Sequence, residues 1–227
     1  MIFTRISLIC LLLISTNAFA QNWYEVELGD EGYETYQGYI LEEEKKVVKH
    51  GQYKRFNNAN DLLELTFYQH GLRNGLSTRY YEELKLKFEG LYQQGLPNGL
   101  HQNFRESGKL YAQHHYKSGV LLKSLHYDVD GYIVSEHHYL ADNEELSISY
   151  YEGIKNHEKL VRLQPAPEDC ETACFANLIY EEQRDYNTDG IVIYLTATDH
   201  QEGITRWKEY DNIGNLIESG EVKEPDY

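Results

Sequence analysis

After its first twenty residues the chain has no apolar run long enough to span a bilayer. It also lacks the motifs of common enzyme classes, with neither the Gly-x-Ser-x-Gly turn of a nucleophilic serine nor a glycine-rich phosphate loop. His157-Glu158 begins like the helix of a zinc protease, but Val161 occupies the position of the required second histidine. These absences predict a protein that is not an enzyme and has no transmembrane segment beyond its N-terminus.

Basic residues are scarce relative to acidic ones. The chain contains 21 Lys and Arg against 37 Asp and Glu, which gives a net charge of −16. Such a charge repels nucleic acid and anionic lipid headgroups, and it favours a basic protein partner. High solubility alone is the alternative explanation of the same charge.

Cysteine is nearly absent, with three residues in the chain. Cys10 lies in the N-terminal apolar segment, so a processed chain keeps only Cys170 and Cys174. In an oxidising compartment this pair predicts an intramolecular disulfide, with free thiols or an intermolecular link as alternatives. Two cysteines are too few for a metal centre, and we predict no metal and no other cofactor.

The N-terminus has the three parts of a secretory signal peptide. Arg5 provides the positive charge, Ile6 to Ile14 form a short apolar core, and Ala18-Phe19-Ala20 is a small-x-small cleavage site. The apolar core is too short for a typical spanning helix, although an N-terminal membrane anchor is the alternative. We therefore expect cleavage after Ala20 and a periplasmic or secreted chain.

The remaining sequence contains an internal repeat with a period of 24 residues. Five columns keep this interval: Gly51, Gly75 and Gly99; Gly71, Gly95 and Gly119; Phe56, Tyr80 and Phe104; Tyr68, Tyr92 and Tyr116; Leu62, Leu86 and Leu110. Each unit is interpreted as two short strands and two tight turns. Because a lone hairpin is marginal in water, the units must share a sheet with their neighbours.

Turn residues are predicted from glycine and from the Asn-Gly dipeptide, which is the strongest short hairpin signal because both turn positions need a positive φ. A second turn follows each aromatic strand, as at Glu106-Ser107-Gly108. The predicted turn residues are Gly51, Gly71, Asn74, Gly75, Gly95, Asn98, Gly99, Gly108 and Gly119.

These units resemble MORN-type repeats, and more closely the bacterial variant found in the YwqK-like antitoxin family. The resemblance depends on the Gly-Leu-x-Asn-Gly-Leu segments, the aromatic strand, and the turn from Glu106 to Leu110; it covers Val47 to Tyr139 well and Tyr186 to Glu221 weakly. It implies an all-β fold, an elongated and twisted antiparallel sheet of successive hairpins. It also implies that some relatives neutralise a toxin by binding it.

The chain departs from this family in its N-terminal signal and in a central insert. We divide the chain into a signal peptide (1–20), a cap with hairpin repeats (21–154), a linker and insert (155–185), and C-terminal hairpins with a tail (186–227). Gln164-Pro165-Ala166-Pro167 predicts the linker, and a short helix with both cysteines is expected between Asp169 and Arg184. These departures indicate a partner in the cell envelope or outside the cell.

Tyrosine is abundant, with 21 residues. It suits a thin sheet with two partly wet faces, and it also suits a recognition surface because it buries area at low entropic cost. Tyr80, Tyr92 and Tyr116 are the candidate partner-binding residues, although stacking within the sheet fits them equally well.

We therefore expect an exported protein-binding repeat protein, an immunity-like antitoxin that occludes a secreted effector. A structural or scaffolding protein of the envelope is the alternative. A hydrolase built around residues 160–185 has the least support, because that stretch has no histidine.

Two further patterns suggest metals but have simpler explanations. His114 and His138 lie one period apart and could form a site with His126, but partly exposed sheet histidines explain them equally. The segments that begin at Asp128 and Asn187 begin like calcium loops but lack the glutamate at the twelfth position. Asp, Asn and Gly are residues that hairpin turns favour, so we interpret both segments as turns.

Overall fold

The computed structural model describes residues 22–41, 44–140, 143–163 and 178–223. Within these ranges the chain forms sixteen β-strands, and its only helical elements are two 3-10 turns, Gly29–Glu31 and Glu82–Leu84. The predicted all-β fold of successive antiparallel hairpins is confirmed. No helix in the described part of the chain is both long and apolar enough to cross a membrane.

The strands divide into two compact units at the start of the ninth strand. The N-terminal unit contains β1 (Asn22–Glu27), β2 (Tyr33–Leu41), β3 (Lys46–Phe56), β4 (Leu62–Gln69), β5 (Leu72–Tyr80), β6 (Leu86–Gln93), β7 (Leu96–Phe104) and β8 (Leu110–Lys117). The C-terminal unit contains β9 (Val120–Tyr127), β10 (Ile133–Tyr139), β11 (Glu144–Tyr151), β12 (Ile154–Leu163), β13 (Leu178–Tyr186), β14 (Val192–Asp199), β15 (Ile204–Tyr210) and β16 (Leu216–Lys223). In each unit the hydrogen-bonded order of the strands is their order in the chain.

Two-residue turns ending in glycine join β4 to β5, β6 to β7, and β8 to β9. At Gln94-Gly95 both residues have positive φ, 50° and 83°, as a type I′ turn requires. The equivalent pairs are His70-Gly71 and Ser118-Gly119. Three of the predicted turn residues, Gly71, Gly95 and Gly119, therefore lie in these turns.

The Asn-Gly dipeptides lie elsewhere, which corrects the prediction for these residues. Asn74 and Gly75 lie inside β5, where the register shifts because Thr66 pairs with Ser77 while Tyr68 pairs with Arg73. Gly75 uses its φ of 109° to form this bulge. The same register shift places Gly51 in β3, and Asn98 and Gly99 in β7.

Longer turns join the strands at the opposite ends. Gly108 lies in the turn between β7 and β8, as predicted, and its N–H donates to the carbonyl of Arg105 at 2.8 Å. Where an Asx residue begins the turn, its side chain closes it: the Oδ1 atom of Asp128 accepts hydrogen bonds from the backbone N–H groups of Asp130, Gly131 and Tyr132 at 2.8 to 3.0 Å. Asn187 and Asp211 act in the same way.

The described part of the predicted insert is strand, not helix or linker. β12 and β13 pair from His157 with Asp185 to Leu163 with Leu178. The expected helix is therefore wrong for residues 178–184, which alternate across a strand because β12 and β14 supply hydrogen-bonding partners on both sides. The signal peptide, the Pro-containing linker, Cys170 and Cys174 lie outside the described residues.

Candidate partner-binding surface

One face of the N-terminal unit carries a row of buried side chains, which we call the tyrosine face. Its central residues are Tyr24, Tyr36, Tyr53, Thr66, Ser77 and His101. Directly paired residues form this row from β1 to β7, so its members point to the same side of the sheet. The row is the core of this unit.

Lys49 binds a group of aromatic rings on the tyrosine face. Its Nζ atom lies 4.7 Å from the ring centroid of Tyr36, 4.1 Å from that of Tyr53 and 5.6 Å from that of Tyr68. Glu34 accepts hydrogen bonds from the Tyr53 hydroxyl at 2.9 Å and from Lys49 at 3.2 Å. Burial, and then the hydrogen bond to Glu34, raise the pKa of Tyr53 well above its usual value. These groups satisfy one another inside the sheet.

His101 occupies the equivalent part of the third repeat. Its ring centroid lies 5.1 Å from that of Tyr92 and 4.8 Å from that of Tyr116, and its Nε2 atom lies 2.7 Å from the carbonyl oxygen of Leu91. Gly90 lies directly beneath the ring, since a Cβ added there would be 2.6 Å from Nδ1 of His101. Burial lowers the pKa of His101, which favours the neutral imidazole.

The predicted contact tyrosines are therefore not brought together as an open binding surface. Tyr92 and Tyr116 lie on the tyrosine face, where both contact His101 and where the guanidinium of Arg73 lies 5.3 Å from the Tyr92 ring. Tyr80 is the last residue of β5, opposite Leu86, beside the turn at residues 82–84. The stacking role that fitted these residues equally well describes Tyr92 and Tyr116.

The opposite side of the same strands carries exposed apolar side chains, which we call the leucine face. Its residues are Phe67, Leu72, Leu76, Leu91, Leu96 and Leu100. Their common side follows from pairing: Leu76 pairs with Leu91, and the row Leu65, Thr78, Glu89 and Gln102 joins the strands that carry them. Each of the six side chains is at least 40% exposed.

Two members of the leucine face lie over the turns. A Cβ added at Gly95 would be 3.4 Å from Cδ2 of Leu72, and one added at Gly119 would be 3.3 Å from Cδ2 of Leu96. These contacts hold the leucines in place along the edge of the sheet without covering them. An ordered, contiguous apolar surface of this kind is typical of a protein-binding site.

The period of 24 residues contained a signal for this surface. Leu72 and Leu96, Leu76 and Leu100, and Phe67 and Leu91 are each one period apart, and four of these leucines belong to the Gly-Leu-x-Asn-Gly-Leu segments. We had assigned those segments to turns. The bulges at the Asn-Gly positions instead keep them in strands, with their leucines exposed on one face.

In the C-terminal unit a glutamate joins three strands. The Glu136 carboxylate accepts a hydrogen bond from Tyr150 at 2.7 Å, and it lies 2.8 Å from Nζ of Lys123 and 3.0 Å from Nε2 of His138. Burial raises the pKa of Glu136, but these three hydrogen bonds outweigh burial and lower it to about 2. Burial and the same bond to Glu136 raise the pKa of Tyr150 to about 12.

The His157-Glu158 pair is also engaged in structural contacts. The Glu158 carboxylate lies 2.8 Å from Nζ of Lys155 and 2.7 Å from Nη1 of Arg184, and it accepts a hydrogen bond from Tyr186 at 3.2 Å. His157 Nδ1 lies 2.7 Å from Asp185 Oδ1. Both residues lie in β12, so neither belongs to a metalloprotease helix.

The histidines and the Asp-rich turns do not form a metal centre in the described ranges, where no group of three His, Cys, Asp or Glu residues could hold an ion. His138 contacts Glu136, and His126 Nδ1 lies 3.3 Å from the Ser135 hydroxyl. The side chains of Asp128 and Asn187 close their own turns.

No family model matches the chain, and no curated protein is significantly similar to it.

Proposed function

We propose that this chain is an exported protein-binding repeat protein that binds its partner through the leucine face. The observation that carries the proposal is the contiguous apolar surface of six ordered side chains, each at least 40% exposed, on one side of the N-terminal unit. Removing such a surface from water provides the main favourable free energy of protein association.

The opposite face supports this assignment by contrast. Tyr53, Lys49 and Glu34 satisfy one another, and Tyr92 is covered by Arg73. A partner on the tyrosine face would have to displace these contacts, whereas a partner on the leucine face displaces only water.

The specific role that we propose is that of an immunity-like antitoxin, which neutralises a secreted effector by binding it. Support comes from the resemblance to MORN-type repeats and to the YwqK-like family, from the N-terminal signal, and from the net charge of −16. That charge accelerates the approach of a basic effector over long distances, so association should slow as salt rises.

A pull-down with residues 21–227 from the native envelope and secretome tests the proposal. It compares the wild type with a Leu76→Thr/Leu91→Thr variant, in which threonine keeps the strand preference but removes most of the apolar contact. The matched control is Tyr92→Phe/Tyr116→Phe on the other face. We expect one dominant partner on the wild type and the control, and its loss from the leucine variant.

Growth then tests the immunity role. The recovered partner should inhibit growth when it is exported alone, and co-export of the wild type, but not of the leucine variant, should restore growth. Recovery of abundant envelope components alone, equally on all three proteins, would contradict the proposal and favour the scaffolding alternative.

A further inference from the structure

We infer that the segment bound by the leucine face is an amphipathic α-helix of the partner, lying across β4 to β7, with acidic and amide side chains beside its apolar stripe. This inference rests on the proposed function, because it takes the leucine face as the binding surface. It adds the secondary structure, the orientation and the charge of the bound segment.

The spacing of the inner leucine-face residues supports a helix. Phe67 on β4, Leu76 on β5, Leu91 on β6 and Leu100 on β7 provide one apolar side chain per strand. Neighbouring strands lie about 4.8 Å apart. An amphipathic helix presents apolar side chains at i, i+3, i+4 and i+7, and it rises about 5.4 Å per turn. Each strand therefore meets one turn of a helix that crosses the sheet.

An extended segment fits the same row less well. A β-strand presents a side chain on one face only every second residue, about every 6.7 Å, and falls out of step with the row by the third strand. Addition of a strand at a sheet edge is also excluded here, because β4 to β7 each have hydrogen-bonded neighbours on both sides. Four strands span about 14 Å, which three turns of helix cover.

The charges beside the row indicate the composition of the helix. From β4 to β8 the charged strand residues on this side are Lys87, Glu89 and Lys117, and Lys54 follows on β3. The other polar neighbours are amides, such as Gln69 and Gln93. This side of the unit is thus slightly basic although the chain carries a net charge of −16. Acidic and amide side chains beside the apolar stripe complement it, whereas lysines would be repelled.

Binding of model peptides to the full purified chain tests the inference. The probe is a fluorescent 18-residue peptide with leucine at helical spacing and Glu and Gln elsewhere. One comparison peptide has Lys in place of each Glu, and another has the same composition with leucine at every second position. Anisotropy should show saturable binding of the first peptide, at least ten-fold tighter than either comparison peptide, and circular dichroism should show that it gains helix on binding.

Variants of the chain locate the site. Leu76→Thr/Leu91→Thr should weaken the acidic peptide at least ten-fold, Tyr92→Phe/Tyr116→Phe should leave its affinity unchanged, and Lys87→Glu/Lys117→Glu should reverse the preference between acidic and basic peptides. The far-ultraviolet spectrum and unfolding midpoint of each variant establish that it is folded.

Equal binding of all three peptides, or binding that the leucine variant retains, would overturn the inference. If the peptides fail while the leucine variant still loses the native partner in the pull-down, the helix is wrong and the proposed function stands. If the leucine variant keeps both the peptide and the native partner, both are wrong.

Discussion

At the scale of single residues, tyrosine and glutamate explain each other's abundance. Tyr53 donates to Glu34, Tyr150 to Glu136, Tyr180 to Glu182 and Tyr186 to Glu158, at 2.7 to 3.2 Å. A thin sheet cannot bury a tyrosine hydroxyl without a partner at low cost, and a carboxylate on a neighbouring position supplies one. Part of the acidic composition that we had attributed to partner steering or to solubility therefore stabilises the sheet itself.

Replacing Glu136 tests this pairing. Glu136→Gln keeps the shape but loses the charge that binds Lys123 and accepts from Tyr150, so the free energy of unfolding at pH 7 should fall by about 2 kcal/mol. Urea unfolding measures the change. Glu218→Gln on the exposed strand β16 is the control and should change stability by less than about 0.5 kcal/mol. An equal effect of the two substitutions would contradict the account.

The same residue predicts a dependence on pH. The pKa of Glu136 is about 2 in the folded chain and near the ordinary 4.5 in the unfolded chain. A lowered folded pKa means that its stabilisation is complete above about pH 5 and disappears as the pH falls towards 2. The difference in unfolding free energy between the wild type and Glu136→Gln should therefore shrink between pH 5 and pH 2. A difference that stays constant over this range would show that the carboxylate charge is not involved.

Gly90 and His101 allow a test of packing on the tyrosine face. Gly90→Ala places a Cβ 2.6 Å from the His101 ring, so we expect a loss of about 1–3 kcal/mol in unfolding free energy. In a His101→Ala background the ring is absent, and the same substitution should cost much less. A double-mutant cycle measured by urea unfolding gives the coupling. Zero coupling would mean that the ring does not lie over Gly90.

At the scale of elements, the period of 24 residues gave the strands correctly but misplaced some turns. Both Gln94-Gly95 and Asn98-Gly99 contain a glycine that can take a positive φ, and dipeptide statistics favour the second pair. The structure uses the first pair for the turn and the second for a bulge. Only the pairing of β6 with β7 distinguishes them, and a single sequence does not contain that information.

A substitution at position 94 tests the location of the turn. Asn tolerates a positive φ better than Gln does, so Gln94→Asn should stabilise the chain by about 0.5–1 kcal/mol. Gln93→Asn, one residue earlier and inside β6, should be neutral or destabilising because Asn disfavours strands. The urea midpoint of each variant decides. Stabilisation by Gln93→Asn alone would place the turn elsewhere.

The hairpin of β12 and β13 was missed for a different reason. The repeat pattern weakens after β10, and residues 164–177 separate two strands that pair directly, from His157 with Asp185 to Leu163 with Leu178. Proline near the start of that connection indicated a linker, and the length of the connection concealed the strand pairing. The alternation in Leu178–Tyr186 was the available signal, but a short segment of this kind also fits a helix.

At the scale of the whole molecule, the sequence predicted an all-β repeat protein but placed the recognition residues on the wrong face. Period-two patterns show that a strand has two sides, but in a sheet with two partly exposed faces they do not show which side is buried. The side that carries Tyr53 and His101 is buried in the structure, and the side that carries Leu76 and Leu91 is exposed. Composition alone favoured tyrosine as the contact residue.

The leucine face should be dispensable for folding. Leu76→Thr/Leu91→Thr replaces two side chains that are more than 40% exposed, so the free energy of unfolding should change by less than about 1 kcal/mol. Thermal and urea unfolding provide the measurement, with the buried Phe88→Ala as a contrast that should cost about 3 kcal/mol or more. A large loss in the leucine variant would mean that this face is needed for the fold.

Site-specific photo-crosslinking in the native cell tests most directly whether the leucine face binds a partner. A photoreactive residue replaces Leu91 on the leucine face in one strain, and the exposed Arg79 on the tyrosine face in another. We predict one discrete adduct with a different protein from position 91 and none from position 79. An adduct from position 79 alone, or none from either position, would contradict the assignment of the leucine face as the binding surface.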